Sequence, residues 1–260
     1  MTRHLFLSPH LDDVALSCGA RAAKASDDGA RVEILTVFAG DEPADSASPL
    51  VDTIYSLWSL AAGKVMTTRR AEDLEAVRIL GATAIHWEEQ EAIHRRHPRT
   101  GEPLYPTIGR LFGPVDAVEE SRIDELAGRL AGLDRADLVV APLGVGGHVD
   151  HRILRAAAER AFGADLAYYD EFPYVVWKRL ALRRVIGWSR RFAVEVERPD
   201  TDRLARKRAA ILAYRSQIRG LFRDEAGLDR LLRRHLRRAG GERLWRRLRP
   251  AGSTASPAAR

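Results

Sequence analysis

Two short stretches of the 260-residue sequence concentrate side chains able to bind a metal and move protons. The first runs Ser8-Pro9-His10-Leu11-Asp12-Asp13; the second runs Gly144-Val145-Gly146-Gly147-His148-Val149-Asp150-His151. Each offers a pair three residues apart, His10 with Asp13 and His148 with His151. On the first turn of a helix that spacing puts both side chains on one face. Imidazole nitrogen and carboxylate oxygen are ligands that zinc accepts without thiolates, and a catalytic zinc uses three protein ligands with a fourth position open. Cys18 is the sole cysteine, so a Cys-rich metal site and an internal disulfide are both excluded. Either stretch alone is ordinary. Histidines at helical spacing are frequent by chance, and Asp13 could simply cap a helix starting at Val14. Position in the fold is what joins the two.

Residues 4–8 form a short apolar run that Pro9 interrupts, as a buried parallel strand would. Residues 14–24 have helical composition and stop before Asp27-Asp28-Gly29. A β-branched run at 32–38 reads as a strand, and the polar stretch 41–49 as a surface loop. A helix is expected over 69–80, closed by Gly81, then a strand at 83–87. The stretch 94–114 is irregular, and loops of that length are often functional. A helix over 119–133, a strand over 137–143, a helix over 151–162 and a strand over 166–169 follow. Further helices are expected over 202–219 and 224–238. Strands alternating with helices predict an α/β fold, a mostly parallel sheet with helices on both faces. Such sheets bind ligands beyond the carboxyl ends of their strands. The strands ending near Ser8 and Leu143 run straight into the two polar stretches.

A hydrophobic fraction of 45% with 30% charged residues suits a globular enzyme with one sizeable core. The formal net charge of +6 raises the question of nucleic acid. Much of the excess, however, is arginine after Leu180, in runs such as Arg233-Arg234-His235-Leu236-Arg237-Arg238 and Arg246-Arg247-Leu248-Arg249. Leucines interleaved at helical spacing make these amphipathic helices with solvated basic faces, so nucleic acid is not expected as a partner. Such helices are also compatible with a homo-oligomer. The N-terminus lacks the apolar core of a signal peptide, and no run approaches the roughly 18–20 apolar residues of a membrane span. These features lead to the expectation of a cytoplasmic protein without a membrane partner. Residues 251–260, rich in Pro, Ser and Ala, are expected to be a disordered tail.

Pro9-His10-Leu11-Asp12-Asp13 followed by His148-Val149-Asp150-His151 resembles the LmbE/PIG-L family of zinc-dependent N-deacetylases. Arg69-x-x-Glu72, Ala76, Leu80-Gly81 and the segment Tyr168-Tyr169-Asp170-Glu171-Phe172-Pro173-Tyr174 also resemble family segments. The sequence departs from the family pattern at Leu11, where proline is commoner, and at Val14, where many members have glutamate. The resemblance implies a Rossmann-like domain over 1–220, with 221–250 a basic helical extension packed on it. It implies removal of N-acetyl groups, most often from small glucosamine-containing substrates. One zinc ion per chain is then expected on His10, Asp13 and His151. Asp12 is expected as the general base, His148 as a protonated electrophile, and Asp150 as its support. Arg69 matches a substrate-contacting position, although a helix-start arginine is as ordinary in a surface ion pair. Trp58, Trp87 and Tyr105 are candidates to stack on a sugar ring, and the loops at 41–58 and 94–114 are expected to set specificity. Two other readings compete: a phosphoesterase-like hydrolase, which would use two metals, and a nucleic-acid-binding protein acting through the arginine-rich region.

Overall fold

The computed structural model describes residues 1–44, 46–58, 60–61, 63–187 and 192–248. The expected disordered tail lies outside the described residues. In chain order the elements are β1 (Arg3–Ser8), α1 (Asp13–Asp27), β2 (Arg31–Thr36), α2 (Pro49–Trp58), α3 (Val65–Ile79), β3 (Thr83–His86), α4 (Ile108–Leu111) and α5 (Glu120–Ala131). There follow β4 (Leu138–Pro142), α6 (Val149–Phe162), β5 (Leu166–Tyr169), α7 (Tyr174–Trp177), α8 (Arg179–Ile186) and β6 (Phe192–Glu197). The described chain closes with α9 (Thr201–Ala213), α10 (Arg215–Phe222), α11 (Glu225–Ala239) and β7 (Glu242–Arg247).

The strands make one sheet in the order β3-β2-β1-β4-β5-β7-β6. The first five are parallel; β7 pairs antiparallel with β5, and β6 antiparallel with β7. Alternation along β1 explains how both faces are filled. Leu5 and Leu7 pack with Ile123, Leu126 and Leu130 of α5 and Ile153 and Leu154 of α6. Phe6 points the other way, into a cluster with Val14 and Cys18 of α1, Ala76 and Val77 of α3, and Ala210 of α9. Because β1 is flanked by β2 on one side and β4 on the other, the loops beyond it diverge and leave a crevice. That crevice lies at the carboxyl ends of the strands, where the two polar stretches meet.

Helix α1 is bent at Cys18, whose φ of −137° and ψ of 27° are not helical. The bend frees backbone groups that a straight helix would pair, and buried groups of that kind must find partners. Glu242 of β7 accepts from the N–H groups of Ala20 (3.1 Å) and Arg21 (2.7 Å). Lys207 of α9 donates to the Ser17 carbonyl at 3.3 Å and pairs with Glu242, and both side chains are fully buried.

The sequence misplaces several elements. Residues Arg246 and Arg247, expected in an amphipathic helix, lie on β7, where Leu244 and Trp245 pair with Tyr169 and Tyr168. Two apolar residues among arginines carry too little periodic signal to reveal a strand. The helix expected over 202–219 is two helices that meet at Tyr214. The second half of the loop expected at 41–58 is the helix α2. Among the described residues no helix is long and apolar enough to cross a membrane.

Candidate active site

His10, Asp12 and Asp13 sit on the turn between β1 and α1, while His148, Asp150 and His151 sit at the start of α6 after β4. Glycine makes the second turn possible. Gly144 and Gly147 have φ of +79° and +78°, a region that side chains with a Cβ avoid. At Gly146 a Cβ would lie 2.6 Å from the Tyr174 ring, so any larger residue would displace that wall of the site.

The two stretches converge on one carboxylate oxygen. Asp13 Oδ2 lies 3.3 Å from His10 Nδ1 and 3.3 Å from His151 Nε2. It also accepts the His10 backbone N–H at 2.9 Å, so Asp13 does not act as a helix cap. His10, His148 and His151 are mutually close as well, each offering a ring nitrogen within 4.8 Å of the others.

Second partners set the ring tautomers. Asp150 Oδ2 accepts from His10 Nε2 at 2.9 Å, and Glu171 Oε1 accepts from His151 Nδ1 at 3.1 Å. With those protons placed, His10 Nδ1 and His151 Nε2 carry the free lone pairs. His151 Nε2 is buried with no hydrogen-bond partner among the described residues. Tetrahedral zinc with bonds of about 2.0–2.1 Å holds its ligand atoms about 3.3 Å apart. Two unprotonated imidazole nitrogens, each at that spacing from one carboxylate oxygen, fit zinc. The electrostatics agree. Burial opposes protonation of His151, yet Asp13 and Glu171 push it up to about 9, so the cluster favours positive charge at this point. Burial would raise Asp13, but His151 and His10 hold it well below the carboxylate range.

Asp12 stands beside this cluster with its carboxylate unpartnered among the described residues, and it lines a cavity of about 150 Å³. Burial and the neighbouring Asp13 charge push it up to about 7, with Arg69 and His10 opposing. A buried carboxylate that titrates near neutrality is suited to proton transfer.

His148 differs from its expected state. Burial drives it well below the usual histidine range, outweighing the raising effect of Asp150. Its Nδ1 accepts the Asp150 backbone N–H at 3.2 Å, so the ring is neutral with its proton on Nε2. Asp150, expected to support His148, instead serves His10. Its Oδ2 is 3.8 Å from His148 Nδ1, whereas its Oδ1 accepts from Arg95 Nη1 at 2.6 Å. Competition from a guanidinium and from His10 Nε2 decides which way that carboxylate turns.

Arg69 is in an ion pair, with Glu91, but not on the surface: it is 3% exposed and lines the cavity. Its guanidinium stacks over Trp58 at 4.4 Å, and Trp58 also lines the cavity. The other two aromatic candidates do not reach it. Trp87 lies under Arg129, 3.9 Å away, and the Tyr105 hydroxyl is buried against Glu119. Sequence reasoning missed Glu171 and Arg95 as supports. Glu171, which also accepts from the N–H groups of Gly144 and Val145, had one signal: it directly follows Asp170 beyond β5. Arg95 had none.

A family model described as PIG-L: GlcNAc-PI de-N-acetylase matches residues 5–162. A 2'-N-acetylparomamine deacetylase of Niallia circulans is 30% identical over 238 residues, covering 85% of this chain and 83% of that protein. Among solved structures, the zinc-inhibited form of a teicoplanin deacetylase superposes with a TM-score of 0.81 at 30% identity, covering 97% of this chain and all of the other. An A40926 pseudoaglycone deacetylase superposes with a TM-score of 0.74 at 29% identity, covering 97% of this chain and 99% of that one.

Proposed function

The chain belongs to the PIG-L family of GlcNAc-PI de-N-acetylases, and from that premise we propose that it is a zinc-dependent N-deacetylase of a small amino-sugar substrate. It hydrolyses the N-acetyl amide to acetate and a free amine. The observation that carries this reading is the convergence of His10 Nδ1, Asp13 Oδ2 and His151 Nε2 beside an unpartnered Asp12. These three atoms would hold the zinc. When bound, the ion supplies Lewis acidity and lowers the pKa of water towards neutrality.

The chain's own residues do the rest. Asp12, placed at the cavity wall and titrating near neutrality, takes the proton of the attacking water on its carboxylate and returns it to the departing amine. His148 Nε2–H donates a hydrogen bond to the amide oxygen as charge develops there; a neutral imidazole performs this as a fixed donor. Asp150 and Glu171 hold the two ligand rings in the tautomers that face Asp13. Arg69, kept in place by Glu91 and Trp58, presents its guanidinium to substrate hydroxyls. Ligands for one metal among the described residues favour this chemistry over a two-metal phosphoesterase.

The test is acetate release from N-acetylated amino sugars with zinc present. Asp12→Ala should retain zinc and lose turnover by about 10²–10⁴-fold, while His151→Ala should lose the zinc itself. Unchanged turnover in Asp12→Ala would remove the proposed mechanism.

A further inference from the structure

One wall of the cavity is α10, which lies outside the residues matched by the family model and contributes Gln217. A short chain of hydrogen bonds fixes this side chain. Ser216 donates its backbone N–H to Glu72 Oε1 at 2.9 Å and its hydroxyl to Glu72 Oε2 at 2.6 Å. A hydroxyl has one proton, and here the carboxylate takes it. The Ser216 oxygen is left with lone pairs only, and it accepts Gln217 Nε2–H at 2.9 Å. That bond decides which end of the Gln217 amide faces Ser216, an assignment that only the bonding network can make. Oε1 is turned away from Ser216 and accepts from no described residue, on a side chain that is 5% exposed and lines the cavity.

We propose that Gln217 Oε1 is a specificity-determining acceptor that takes a hydrogen bond from a ring hydroxyl of the sugar whose acetamide lies between Asp12 and His148. The inference rests on the deacetylase reading above and adds to it a demand on the sugar. A neutral donor is the partner, because the cavity already holds the Arg69 guanidinium and a cluster suited to a cation. Arg69 and Glu72 are one turn apart on α3. The same helix thus presents a donor directly and, through Ser216, orients an acceptor. Together they can bind the two sides of a diol, one hydroxyl accepting and one donating.

The experiment compares N-acetylglucosamine with its 3-deoxy, 4-deoxy and 6-deoxy analogues, following acetate release by the zinc-loaded wild type, Gln217→Leu and Ser216→Ala. The wild type should lose about tenfold or more in kcat/KM on one analogue, because removing that hydroxyl leaves Oε1 unpaired in a desolvated site. Gln217→Leu should treat that analogue and the parent sugar alike, with zinc content unchanged. Ser216→Ala, which frees the amide to turn, should keep only part of the discrimination, and it gives the same reading should Gln217→Leu fail to fold. A wild type indifferent to all three deletions, or a Gln217→Leu variant that discriminates as before, overturns the proposal. A wild type that releases acetate from none of these sugars overturns the deacetylase reading instead.

Discussion

At the scale of single residues, the site divides into groups that act and groups that aim them. Asp150, expected behind His148, bonds the His10 ring instead. Asp150→Asn should lower zinc affinity by about 10–100-fold, the usual effect of removing a carboxylate behind a ligand histidine, as measured by competition with a chromophoric chelator. Unchanged affinity with lost turnover would return Asp150 to His148. His235 makes a different prediction. It is buried against Phe172, with ring centroids 5.3 Å apart. Burial pushes it down to about 4, Asp170 opposing and Lys207 and Arg243 adding to the effect. The unfolded chain protonates this group near 6.5, so between 6.5 and 4 the unfolded state holds the extra proton and stability falls with pH. From pH 7 to pH 5 the loss is about 2 kcal/mol. His235→Phe should remove that share of the acid sensitivity, read as the difference in urea midpoints at the two pH values. That the two polar stretches meet was legible in the sequence, because metal ligation and proton transfer demand particular side chains at fixed spacing on one turn. Arg95 and Glu171 make their site contacts with residues distant in sequence, so Arg95 has no local mark and Glu171 only its place after Asp170.

At the scale of elements, the five parallel strands were legible and the two antiparallel ones were not. Buried parallel strands are apolar runs, as in 4–8 and 137–143. Strand β6 is largely exposed, and β7 is half arginine, so neither has the composition of a buried strand. Yet β7 carries Glu242, which settles the bend in α1. Removing one partner of a buried ion pair strands the other charge. Glu242→Ala should therefore cost about 3–5 kcal/mol in a denaturant titration, and adding Lys207→Met should recover part of that loss. A full loss that persists in the double variant would mean that the two freed N–H groups, not the lysine, dominate.

For the whole molecule, the sheet brings together side chains from the ends of β1, β4 and β5, so zinc ties together regions that are far apart in sequence. A ligand that binds only the folded state stabilises it in proportion to its saturation. With free zinc at 100 times its dissociation constant the gain is about 2.7 kcal/mol, or roughly 5–10 °C in Tm for a chain of this size. A chelator should abolish that increment and added zinc restore it; His151→Ala should show neither change. Fold class and the place of the site were legible at this scale because strand-to-helix alternation and the switch point at β1 follow from the order of apolar runs. The division of the chain was harder to read, since the segment after residue 220 supplies α11 and β7 and so completes the same sheet.

The bend in α1 also bears on biosynthesis. A chain emerging from the ribosome carries both metal-binding stretches long before it carries Glu242, the acceptor for Ala20 and Arg21. Translation that stops between residues 171 and 242 would yield a polypeptide with both metal-binding stretches and an α1 whose N–H groups at Ala20 and Arg21 lack the Glu242 acceptor. The helix that carries Asp13 is therefore fully paired only once the last strand of the sheet is in place.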